Sequence, residues 1–244
     1  MESKTGAIVL HSLRYGDSRL IVDMFTREHG RLSFLVTLGK GVRSQMKKQY
    51  FQPLTLLDIE CDVRPRQQLH RLRNVALHCP WQSLLTEPDK LAIGLFVSEF
   101  LYHALRGEQQ DKRLFDYVCS SLQWLDARRD RYANFHLVFL MHLSRFLGFF
   151  PNLGTPTSYP SPPYFDLRAA TFCTSPPPHH DYIMPQEAAH IRPLMRMNYA
   201  TMHLFRLSRA ERSRLLEVIE QYYRLHLPAF PELRSLSILR EIYD

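Results

Sequence analysis

The chemistry most visible in this sequence is that of cations meeting phosphate. Lys40, Arg43, Lys47 and Lys48 share one connection with no acidic residue among them, and Arg64, Arg66, Arg71 and Arg73 follow close behind. Such groups neutralise phosphates whatever the base sequence, and they act by releasing counterions. Gly39 and Gly41 flank Lys40; without a Cβ, a glycine lets the backbone approach a phosphate closely. Arg71 and Arg73 lie two positions apart, which places them on one face of a strand. Aromatic rings add stacking surface for bases. Among them Phe25 and Phe34 read as core from their alternation, while Tyr15, Tyr50 and Phe51 stand at loop edges. Tyr15 joins the eight cations as a candidate nucleic-acid contact.

Bond-breaking chemistry finds no such support. There is no Gly-x-x-x-x-Gly-Lys-Ser/Thr loop, no Gly-x-Gly-x-x-Gly, no Gly-x-Ser-x-Gly and no His-Glu-x-x-His. Asp58 and Glu60 alternate along a strand, as solvated carboxylates do. Cys173, His179, His180 and Asp181 are residue types that zinc accepts, but only the two histidines are close in sequence, and adjacent residues rarely both point inward. No metal and no cofactor is expected. Cys61, Cys79, Cys119 and Cys173 are isolated, with no Cys-x-x-Cys pair, as suits reduced thiols in a cytoplasmic protein. No signal peptide is read at the start, and the most apolar segment, 135–150, is short of the roughly 20 residues that span a bilayer.

The elements that must hold the cations are strands. Apolar alternation over Thr5–Leu13, Leu20–Phe25, Leu32–Leu38, Leu54–Cys61 and Leu69–Leu77, with turns at 14–18 and 28–30, gives five short strands and a longer third connection. That pattern matches a five-stranded OB barrel, though periodicity alone leaves an SH3-like barrel open. The first 80 residues carry 13 Lys/Arg against 7 Asp/Glu, so nearly all of the net +7 sits there. After Pro80 the period becomes helical. Segments open at Pro88, at an Asp111 cap, over 132–149, at a Ser208-x-x-Glu211 capping box and at Pro231. Prolines crowd 151–184, where Tyr164–Leu167 and Thr171–Cys173 suit a small hairpin. The expected fold is α+β in two domains. Residues 1–80 form an OB-fold nucleic-acid-binding domain, and 81–244 form an all-α domain with a proline-rich irregular insertion.

Several runs together resemble the bacterial RecO recombination family. They are Thr5-Gly6-Ala7-Ile8-Val9-Leu10, Arg14-Tyr15-Gly16-Asp17-Ser18-Arg19-Leu20, Phe25-Thr26-Arg27-Glu28-His29-Gly30, Gly39-Lys40-Gly41-Val42-Arg43-Ser44, Gln52-Pro53-Leu54, Leu72-Arg73 and Phe146-Leu147-Gly148-Phe149-Phe150-Pro151. The resemblance implies binding of single- and double-stranded DNA and annealing of complementary strands. It also implies work with RecR, and help for RecA in replacing single-strand-binding protein (SSB), whose C-terminal tail such proteins contact. An acidic, apolar-ended tail calls for positive charge beside an apolar pocket, and Arg128, Arg129 and Arg131 are the candidates for it. The chain departs from the family in one place. Many members carry two Cys-x-x-Cys pairs in the insertion, whereas here only Cys173 lies there. The family's zinc is therefore not carried over. Two other readings are a barrel that binds protein without DNA, and an unrecognised nucleic-acid hydrolase.

Overall fold

A computed structural model describes residues 2–39, 46–64, 66–107, 109–152 and 163–242. Five strands, β1 (Glu2–Tyr15), β2 (Arg19–Thr26), β3 (Gly30–Thr37), β4 (Leu56–Asp62) and β5 (Leu69–Leu77), close into a barrel in the order β1-β2-β3-β5-β4. This is the OB arrangement. Every neighbouring pair is antiparallel except β3 and β5, which run parallel. β1 serves twice, pairing with β4 through its first half and with β2 through its second, around an irregularity between Val9 and His11.

Inside the barrel, Val9, Leu20, Val22, Met24, Phe34, Val36, Ile59, Leu72 and Val75 pack together. The unbroken run Ala7-Ile8-Val9-Leu10 is apolar because it is buried on both sides. Helices α1 (Pro88–Ala104) and α2 (Lys112–Ala127) lie over the outer side. There Ser98 Oγ donates to the Leu10 carbonyl at 3.0 Å, and the Phe25 and Phe115 rings stand 6.0 Å apart. Arg27 grips Asp116 through two hydrogen bonds, of 2.8 and 3.0 Å. The barrel, α1, α2 and the final helix thus form one compact unit, Met1–Ala127 with Leu233–Ile242.

Arg128–Glu232 forms the second unit. It contains α3 (Phe135–Phe146), the strands β6 (Tyr164–Asp166), β7 (Thr171–Cys173) and β8 (Tyr182–Ile183), two short helices α4 (Pro185–Ala188) and α5 (Ile191–Arg196), and α6 (Arg209–His226). The hairpin expected in the insertion is β6 with β7, and β8 extends it on the other edge. Tyr223 anchors α6 to α3, its hydroxyl donating to the Leu140 carbonyl at 2.6 Å. Local cap signals hold well. Asp111 Oδ1 accepts from the Leu114 N–H at 2.9 Å, and both halves of the Ser208/Glu211 box are formed. A Ser208→Ala variant is expected to lose about 1 kcal/mol of stability, read by denaturant titration; an unchanged midpoint would show the box to be idle.

Two helix boundaries differ from the sequence reading. α3 starts and stops inside 132–149, and the chain turns at Gly148 with φ +84°, a conformation that favours glycine. The last helix, α7 (Ser235–Ile242), begins at Ser235 and not at Pro231. The cause is Glu99 on α1, whose carboxylate accepts the Arg234 and Ser235 N–H groups at 3.1 and 2.8 Å. That cap comes from far along the chain.

Candidate nucleic-acid interface

Strand alternation sorts the barrel residues into those that fill it and those that face outward. Ladder registers then align the outward ones in rows across β1, β2, β3 and β5. One row runs His11, Asp23, Ser33 and Leu69; the next runs Leu13, Ile21, Leu35 and Arg71; the third runs Tyr15, Arg19 and Thr37. α1 covers much of the first row. His11 meets the Tyr102 ring at 4.7 Å, and Arg31 lies over that ring at 4.5 Å. The second and third rows are open, and Leu13 and Tyr15 are each 55 % exposed. Large apolar side chains in solvent with arginines beside them form a surface on which bases stack while cations meet phosphates.

The β4–β5 connection enters this face from one side. It carries Arg64 and Arg66, both exposed, and the backbone turns at Arg66 with φ +70°. His70, the second residue of β5, is buried, and burial together with the nearby His29 charge lowers its pKa, which favours a neutral ring. Arg71 points out with the second row. Arg73 is exposed on the same face of β5, as period two requires, but it is already engaged. Its Nε donates to Asp62 at 2.8 Å and its Nη1 lies 3.2 Å from Glu2. The hydrogen bond and charge of Arg73 hold the Asp62 carboxyl below its usual range.

At the opposite side stands the β1–β2 hairpin. Arg14 and Arg19 rise from it beside Lys48, which opens a short 3₁₀ turn at Lys48–Phe51. Neither Arg14 nor Arg19 stands out as a contact from the sequence alone. Their signal lay in strand pairing, since Tyr15 faces Arg19 directly. Lys47 is half-buried at the start of the turn. Phe51 is 1 % exposed and belongs to the barrel interior, with its carbonyl accepting from the Ser12 hydroxyl at 2.5 Å. Lys40 and Arg43 lie outside the described residues; on either side of them the Gly39 N–H donates to the Met46 carbonyl at 3.3 Å.

Two family models match most of the chain. "Recombination protein O N terminal" matches residues 1–80, and "Recombination protein O C terminal" matches residues 85–236. The chain belongs to the RecO family. A DNA repair protein RecO from Bacteroides fragilis is 49 % identical over 245 residues, and one from Phocaeicola vulgatus is 46 % identical over 244, each alignment covering 100 % of both chains. One from Porphyromonas gingivalis is 35 % identical over 240 residues, covering 98 % of each. Membership brings a role in DNA repair and recombination, that of a mediator and not of an enzyme.

Outside the barrel, Arg128, Arg129 and Arg131 are exposed in the connection between α2 and α3. Arg131 has φ +61° and stands 3.7 Å from Asp130. An apolar pocket of about 270 Å³ in the second unit is lined by other residues, among them Ile183, Ile191, Leu215 and Val218. In the insertion, His179 Nε2 lies 3.4 Å from Asp166, and Asp181 is paired with Arg168. Among the described residues, no three of His, Cys, Asp and Glu are grouped so as to hold a metal ion. No described helix is long and apolar enough to cross a membrane.

Proposed function

We propose that this chain binds single- and double-stranded DNA through its barrel, anneals complementary strands, and helps RecA onto SSB-coated single strands in the cytoplasm together with RecR. The observation that carries this reading is the open outer face, where Leu13, Tyr15, Ile21 and Leu35 lie between the arginines of the β1–β2 hairpin and Arg71. Residues 1–80 supply the nucleic-acid contacts: Lys40, Arg43, Lys47, Lys48, Arg64, Arg66, Arg71, Arg73 and Tyr15. Residues 81–244 supply partner contacts, with Arg128, Arg129 and Arg131 taking the acidic SSB tail. Annealing of this kind needs no nucleotide, because the obstacle is repulsion between two polyanions and basic side chains screen it.

The test is annealing of SSB-coated complementary strands, without nucleotide or divalent metal, with and without the protein. Acceleration is expected. A Lys40→Ala/Arg43→Ala variant should bind all sequences more weakly and flatten the salt slope by about one unit or slightly more. No acceleration by the wild-type chain would sink the annealing function, and an unchanged slope in the folded double variant would remove the Gly-rich loop from the DNA path.

A further inference from the structure

Among the described residues, one end of the barrel is open between the β1–β2 hairpin and the 3₁₀ turn. The cavity there measures about 510 Å³, inside the range of roughly 300–1,000 Å³ typical of small-molecule sites. Its apolar wall comes from the half-buried Leu38 and Pro53, with the buried Leu20 and Phe51 behind them, and its rim carries Arg14, Arg19 and Lys48 against a single carboxylate, Asp17. Arg14 Nε is held by the Gly16 carbonyl at 3.2 Å, which fixes the guanidinium at the rim. None of the three cations makes an ion pair with another described residue. The Ser12 hydroxyl in the wall is already spent on the Phe51 carbonyl. Gln52 is exposed at the lip of the mouth, and the Asp17 carboxylate offers an acceptor there.

We propose that this cavity takes one unstacked base of single-stranded DNA, with Arg14, Arg19 and Lys48 holding the phosphates on either side of it. The inference rests on the DNA-binding reading above and names what the barrel mouth adds to it. The apolar side chains of Leu38 and Pro53 suit the face of a base, and an excess of cations suits a ligand that brings phosphate on both sides. The Asp17 carboxylate meets the base edge, where a nucleobase carries donors. A base inside an intact duplex stays stacked and paired, so the cavity works only on single strands. The mouth thus adds to the preference for single-stranded over double-stranded DNA, and it leaves the phosphate contacts themselves indifferent to sequence.

The experiment uses the full chain and two single strands of equal length, one of thymidine and one abasic throughout. A duplex of that length is the third ligand, and fluorescence anisotropy is the readout. Gln52→Trp fills the mouth from an exposed position, and Gln52→Ala leaves it open. Wild type should favour the thymidine strand over the abasic one by about tenfold, the size of one stacked base. Gln52→Trp should lose most of that preference while holding the abasic strand, the duplex and the salt slope unchanged, and Gln52→Ala should keep more of it than Gln52→Trp. A folded Gln52→Trp protein that retains the whole preference overturns the base pocket and leaves DNA binding standing. Failure of wild type to bind any of the three ligands overturns the DNA-binding reading and the pocket with it.

Discussion

A triple variant, Arg14→Ala/Arg19→Ala/Lys48→Ala, is expected to bind single-stranded DNA about a hundredfold more weakly than wild type near 0.1 M salt. The size follows from counterion release. Each phosphate neutralised on a single strand contributes about −0.7 to the slope of log K against log salt, so three contacts amount to about two units of slope and about two decades of affinity at 0.1 M. All three residues are exposed on strand ends or a short turn. Their loss removes little packing, and the thermal midpoint should hold. Single variants on β5 refine the map. Arg71→Ala should move the slope by about 0.7. Arg73→Ala should move it less, because Asp62 and Glu2 already compete for that guanidinium. Titrations at several salt concentrations measure both. An unchanged slope in a folded triple variant would move the DNA path away from the hairpin.

The contrast between Arg71 and Arg73 shows where the sequence stops speaking. Period two places both on one face of β5, and both are exposed there. What separates them is Glu2, which meets Arg73 only because β1 pairs with β4 and β4 with β5. Phe51 is a similar case. Its position at a loop edge left it between stacking and core, and the decision comes from the barrel interior, where it packs with residues from several strands. Arg14 and Arg19 converge with Lys48 only when the barrel closes. Signals contained within a few residues were legible: the alternation of β3, the Asp111 cap and the Ser208/Glu211 box. The start of α7 was not, because its cap is a carboxylate on another helix. In each case a feature set within one turn or one strand could be read directly, and a feature set by pairing across the unit could not.

Asp126 carries the largest expected effect on stability. It lies in the last turn of α2, where a negative charge opposes the helix dipole. Its carboxylate is turned instead to the segment that leads from the barrel into α1. Oδ1 accepts the N–H groups of Ser83 and Leu84 at 2.8 and 2.7 Å, and Oδ2 accepts that of Gln82 at 3.0 Å. The Lys90 ammonium, 1 % exposed, completes the clasp by donating to Ser83 Oγ at 2.6 Å and to the Asp126 carbonyl at 3.3 Å. Asp126→Ala leaves three donors to find water, and two of them belong to residues that are largely out of solvent. Hydrogen bonds to a charged group contribute about 1.5–3 kcal/mol each, and water recovers part of that, so a loss of about 3 kcal/mol is expected. Asp126→Asn keeps one acceptor oxygen and should lose about half as much. The pH dependence separates charge from shape. Burial pushes the Asp126 carboxyl up, but the three N–H groups and the Ser83 hydroxyl outweigh it and hold the group below 3.8. A carboxyl lowered on folding contributes fully above its unfolded value and fades as pH falls through its folded value. The gap between wild type and Asp126→Ala should therefore be level from about pH 6 to 8 and should narrow below about pH 4. A gap that widens on acidification would mean that the carboxylate charge is not what holds the clasp.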